Sequence, residues 1–83
     1  MTPSKRDFVQ ALISHCTEHG WPEILRLPCE FKTENWFGER MFVHQWQDGQ
    51  IERKDTYHFD GALITLFASQ KRYDYGARWL DEN

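Results

Sequence analysis

The stretch Asp60-Gly61-Ala62-Leu63-Ile64-Thr65-Leu66-Phe67-Ala68-Ser69-Gln70-Lys71-Arg72 decides the fold of this chain, because it reads in two ways. As a helix, it opens on Asp60, a residue whose carboxylate caps free amides well. Phe59 stands where it can staple onto Ile64. Ala62, Leu63, Leu66 and Phe67 line one helical face, and Lys71 and Arg72 fall in the last turn, where cations suit the helix dipole. As a strand, it offers Ile-Thr-Leu-Phe, a run of β-branched and aromatic character. Cap, staple, stripe and dipole agree, so the local signals predict a helix over 61–72.

Immediately upstream lies a hairpin signal. Met41 to Trp46 is rich in strand formers, Ile51 to Phe59 alternates, and Asp48-Gly49 between them is a favoured two-residue turn. That turn would set Trp46 opposite Ile51, His44 opposite Arg53 and Phe42 opposite Asp55. One face then carries Phe42, His44, Trp46, Ile51, Arg53, Tyr57 and Phe59, and the other Met41, Val43, Gln45, Glu52, Lys54, Thr56 and His58. Neither face is cleanly apolar. Further upstream, a short strand is expected near 28–33, and Asn35-Trp36-Phe37-Gly38 reads as a turn carrying two large aromatics.

The N-terminal segment is the plainest. Ser4 followed by Asp7 is a capping-box pattern, and Phe8, Val9, Leu12, Ile13 and Cys16 recur at three- and four-residue spacing. Gly20, with Pro22 beyond, ends the run, so a helix is expected over about 4–19. The tail holds Tyr73, Tyr75, Trp79 and Leu80 and is expected to form a short final helix. The resulting expectation is a single α+β domain over 1–83: a helix, a three-stranded antiparallel sheet and a second helix (αβββα), with the helices on one face of the sheet.

Composition bounds the function. The 83 residues include four Trp, six Phe and three Tyr, yet 28% are charged and the net charge is −3. So many rings are hard to bury in so small a domain, and those left outside mark a binding surface. Mild net acidity argues against tight non-specific binding to nucleic acid, which relies on neutralising phosphates. No apolar run approaches the roughly 20 residues that span a membrane, and no secretory leader is visible. With two cysteines and no leader, the expectation is a cytoplasmic protein with free thiols.

Chemistry-bearing clusters are sparse. His15 and His19 lie one helical turn apart, and Cys29 follows; these are weak metal candidates, because the tight paired spacings of structural zinc sites are missing. Cys16 falls on the apolar stripe and reads as core. The glycines are scattered, with no phosphate-binding loop. No cofactor and no catalytic residue is therefore expected. The favoured expectation is a non-enzymatic module that occupies a surface of a larger protein, of inhibitor, immunity or adaptor type, such as the antagonists that phages and mobile elements direct at host machinery. Trp36, Phe37, Trp46, Tyr73, Tyr75 and Trp79 are the aromatic interface candidates, with Trp36 and Trp46 expected outside and at least one of Trp21 and Trp79 buried. Glu30, Glu34, Glu52 and Asp55 are the acidic interface candidates, joined by Asp81 and Glu82. The alternative is weak binding of single-stranded nucleic acid by His44, Trp46, Arg53 and Lys54, which mix ring and base near one hairpin. A like-chain dimer, paired through the hairpin or the Cys29–Phe31 strand, is a further expectation.

Overall fold

The structure, a computed structural model, describes residues 3–19, 28–74 and 76–82. It contains α1 (Lys5–His19) and five strands: β1 (Cys29–Trp36), β2 (Glu39–Asp48), β3 (Ile51–Phe59), β4 (Ile64–Arg72) and β5 (Leu80–Asp81). The strands form one antiparallel meander in the order β1-β2-β3-β4-β5. The molecule is therefore mostly β, and the expected αβββα arrangement is overturned. Trp21 and Tyr75 lie outside the described residues.

The first helix begins as its sequence requires. Ser4 Oγ accepts the Asp7 amide at 3.1 Å, and Asp7 Oδ2 accepts the Ser4 amide at 3.3 Å, a reciprocal capping box. Phe8, Leu12 and Cys16 are its buried stripe.

Within 61–72 the residues Ile64–Arg72 form a strand, and the expectation of a second helix fails here. Asp60 Oδ1 does accept the amides of Ala62 and Leu63, at 2.9 and 2.8 Å, as a helix cap would. But Gly61 has φ +104°, which takes the chain out of the helical region at the first position after the cap. The same two bonds become an Asx turn that feeds β4. β4 then pairs with β3 along its whole length, from Phe59–Ile64 to Glu52–Arg72. That ladder satisfies the backbone of β3, which would otherwise be an open edge. The tail corrects in the same direction: Leu80 and Asp81 pair with Lys71 and Gln70 as a short strand where a final helix was expected.

Both hairpins also refine the reading. β1 runs the full eight residues to Trp36, beyond the expected 28–33. Trp36 pairs with Glu39, so Phe37 and Gly38 alone make the turn, with φ +53° and +84°. Positive φ at both positions is the type I′ pattern, whose twist suits a hairpin. At the second hairpin Asp48 pairs with Ile51, so the turn is Gly49-Gln50, one residue beyond the expected Asp48-Gly49. Gly49, the first turn residue, has φ +64°, while Gln50 has no positive φ, the type II′ pattern. The partners are accordingly Trp46–Arg53, His44–Asp55 and Phe42–Tyr57, each two positions from expectation. A two-residue slip preserves the faces, so the expected face sets survive.

Both faces of the sheet are covered. Phe8 lies at the centre of the helix side, stacked on Phe42 at 5.0 Å and in ring contact with Phe31, Tyr57 and Phe59. Beyond Phe42 on that face, His44 is stacked between Phe31 and Trp46, at 5.1 and 4.7 Å. On the opposite face Met41, Val43, Gln45, Lys54 and Thr56 are buried. β2 is thus buried on both sides from Met41 to Trp46, which explains why neither face of this hairpin shows clean alternation.

Candidate functional site

The face away from the helix is roofed by side chains from both margins of the sheet. Glu34 on β1 joins two of them: it accepts the Trp36 indole N–H at 3.0 Å and pairs with the buried Lys54 ammonium at 3.3 Å. Lys54 also lies 4.6 Å from the ring centre of Trp79, and the Arg72 guanidinium lies 4.3 Å from the same ring. Arg72 in turn binds Glu52. From the β4 side Phe67 meets Trp36 edge to face at 5.3 Å. Phe67 reaches this face because the β3–β4 register shifts at Thr56/Tyr57: Thr56 pairs with Ala68 but Tyr57 with Leu66, leaving Phe67 as the extra residue of a β-bulge.

Directly beside Trp36 stands Phe37, at the tip of the β1–β2 turn. It is 94% exposed, and it is the one positive-φ residue among the described residues that is not glycine. Type I′ turns favour Asn, Asp or Gly here, because a bulky side chain in the left-handed region costs roughly 1–2 kcal/mol. The turn is held in shape by Asn35, whose Oδ1 accepts the Gly38 amide at 3.0 Å. Trp36, Phe37 and Phe67 form the candidate site: a half-buried indole, a presented ring at a tight turn, and a half-exposed ring from the far strand.

The other sequence candidates are distributed as follows. Trp46, expected outside, is 8% exposed and packs on His44, which is 2% exposed. Trp79 is half-buried under the two cations named above, and Tyr73 is exposed, with the Lys71 ammonium 5.8 Å from its ring centre. Of the acids, Glu34 and Glu52 are engaged in ion pairs, and Asp55 lies on the helix side, half-buried, where the Ser69 and Tyr57 hydroxyls hydrogen-bond it. Glu30 alone of those four is exposed. Glu82 is bound to Arg53, and Asp81 accepts a bond from Gln70. These acids do not form one negative surface. The proposed nucleic-acid set does not gather either: His44 and Trp46 are buried, Arg53 is held between Asp48 and Glu82, and Lys54 lies on the opposite face. Phe67 was missed, because it was read as part of a helical stripe and a bulge leaves no local sequence signal.

One cavity, about 220 Å³, lies under the helix side and is lined in part by Cys16, His44, Asp55 and Tyr57. Burial, and then the Asp55 charge, push the Cys16 thiol up, and burial pushes His44 down to about 4. At neutral pH they stand as thiol and neutral imidazole, the opposite of an activated thiolate–imidazolium pair. Burial likewise raises the Cys29 thiol. Among the described residues no three His, Cys, Asp or Glu side chains gather as a metal set would, and the His19 side chain lies outside what the structure describes. No helix among the described residues is long and apolar enough to cross a membrane. No family model, curated protein or solved structure matches this chain.

Proposed function

We propose that this protein is a non-enzymatic binding module that docks on a larger protein through Phe37, flanked by Trp36 and Phe67. The observation that carries this reading is Phe37 itself. A phenyl ring held in left-handed backbone and surrounded by solvent buries almost nothing on folding, so exposure contributes no stability while the backbone strain opposes the fold. Such a residue is accounted for by a contact outside the chain. Interface hot spots are typically aromatic and ringed by half-buried neighbours, and a tight type I′ turn presents the ring with little mobility to lose on binding. The partner pocket is therefore apolar and deep enough for one ring. The two free thiols support a reducing compartment such as the cytoplasm. The burial of His44 and Trp46 favours this reading over the single-strand alternative, which needs rings open to stacking.

The test exploits opposite signs. Phe37→Asn relieves the turn and removes the ring. It is expected to raise unfolding free energy by about 1 kcal/mol in urea titration while abolishing capture of the partner from an extract of the source organism treated with nuclease. A variant that is more stable and still captures the same protein at undiminished yield would sink the proposal. Loss of the captured material on nuclease treatment of the wild type would return the single-strand alternative to the front.

A further inference from the structure

We infer that strand β4 is an interface between two copies of this chain, its outer edge pairing antiparallel with the same edge of a second molecule. The geometry begins with the unequal coverage of β4. On its inner side β3 pairs with it throughout, but on its outer side β5 reaches only Gln70 and Lys71, with one further bond from the Glu82 amide to the Ser69 carbonyl at 2.8 Å. From Ile64 to Ala68 the outward backbone groups have no strand neighbour among the described residues. An open row of amides and carbonyls is a template for another strand.

Proteins guard such edges with charge, and the opposite margin of this sheet shows the guard in place: β1 carries Glu30, Lys32 and Glu34. β4 lacks it. Between Asp60 and Lys71 no residue is charged, in a chain where 28% are. Leu63, at the entry to this edge, is 66% exposed, and Leu66 and Phe67 are half exposed beside it. Two arguments select a second copy as the occupant. A two-fold antiparallel pairing sets the segment against itself, so it needs a sequence with no like charges to oppose, and this one has none. A foreign strand would be chosen by complementary charge, and the edge offers no charge to complement. The β1 edge, with acids at 30 and 34, meets itself with repulsion.

The experiment uses the purified protein alone, so it is independent of whether Phe37 binds anything. Sedimentation velocity from low micromolar to near millimolar concentration is expected to show a monomer–dimer equilibrium. Its Kd should be on the order of tens of micromolar, as befits an interface at the small end of the range. Leu66→Lys, and separately Thr65→Lys, should weaken it at least about tenfold, since each change enters a two-fold interface twice. Circular dichroism confirms the fold of each variant, and Phe37→Asn should leave the equilibrium unchanged. Amide exchange in the wild type should slow at 64–68 as concentration rises. A monomer at every concentration, a dimer indifferent to both lysines, protection that falls on 29–36 instead, or open-ended polymer in place of a dimer each overturns the inference.

Discussion

His44 shows how much a single buried side chain can impose. It is stacked between Phe31 and Trp46, and its Nε2 has no hydrogen-bond partner among the described residues. Burial lowers its pKa to about 4 from an ordinary 6.5, so the folded state holds it neutral while the unfolded state takes up a proton. Stability is thus greatest above pH 6.5 and is lost as the pH falls toward 4. Integrating the proton uptake gives a loss of about 2 kcal/mol between pH 7 and pH 5, measurable by urea titration at the two values. Asp55, raised mainly by burial, acts in the opposite sense at the acid end, where it retains its proton more readily folded than unfolded. Replacing His44 with Phe should flatten the slope between pH 7 and 5; a variant as pH-dependent as the wild type would show that another group carries it. None of this was visible in the sequence, where His44 looked like half of an aromatic–basic surface. Its position on the Phe42 face was legible from the alternation, but its burial depended on Phe31 from a strand whose register no local signal specifies.

Across the elements, the Glu34–Lys54 pair ties β1 to β3 over the face away from the helix. Lys54 is buried, and Glu34 is its one carboxylate partner among the described residues, besides serving the Trp36 indole. Glu34→Ala strands an ammonium that cannot reach water freely and is expected to cost about 2–3 kcal/mol. Lys54→Met keeps the stem and removes the charge; the Glu34 carboxylate it leaves is more exposed and still accepts the Trp36 indole, so the cost should be smaller, about 1 kcal/mol. In the double variant the Glu34 loss should largely disappear, so a thermodynamic cycle reads the coupling. Simple additivity of the two changes would mean that the pair is not coupled. The hairpins at this level were partly readable: both turns were located within a residue or two, because glycine at a positive-φ site leaves a local mark. The register was not, since a type I′ turn at Asp48-Gly49 and a type II′ turn at Gly49-Gln50 fit the same residues.

At the scale of the whole molecule, the fold rests on one small core in which Phe8 touches rings from three strands. Phe8→Ala is expected to cost about 3–5 kcal/mol, a large share of what so small a domain possesses, and should leave the chain unfolded near room temperature by circular dichroism. Retention of a cooperative transition with little loss would show that the two-sided sheet stands without the helix. The sequence by itself determined the helix, with its cap and buried stripe, and the presence of β2 and β3. It also marked out a surplus of aromatics and placed Phe37 in a turn, but which rings stay outside was left to the tertiary structure, where Phe37 is exposed and Trp46, expected outside, is buried. The helix, the two strands and the aromatic surplus follow from local bonds, local periodicity and composition, which each segment carries within itself. Only the tertiary structure decided the state of 61–72. There the Asp60 cap and the apolar spacing suit a helix, but Gly61 leaves the helical region, and β3 provides a backbone edge along its full length that a strand alone can satisfy. That choice makes the sheet five-stranded, brings Phe67 to Trp36 and leaves the outer side of β4 without a strand neighbour over 64–68 among the described residues, because hydrogen bonds between strands outweigh the preferences of one segment.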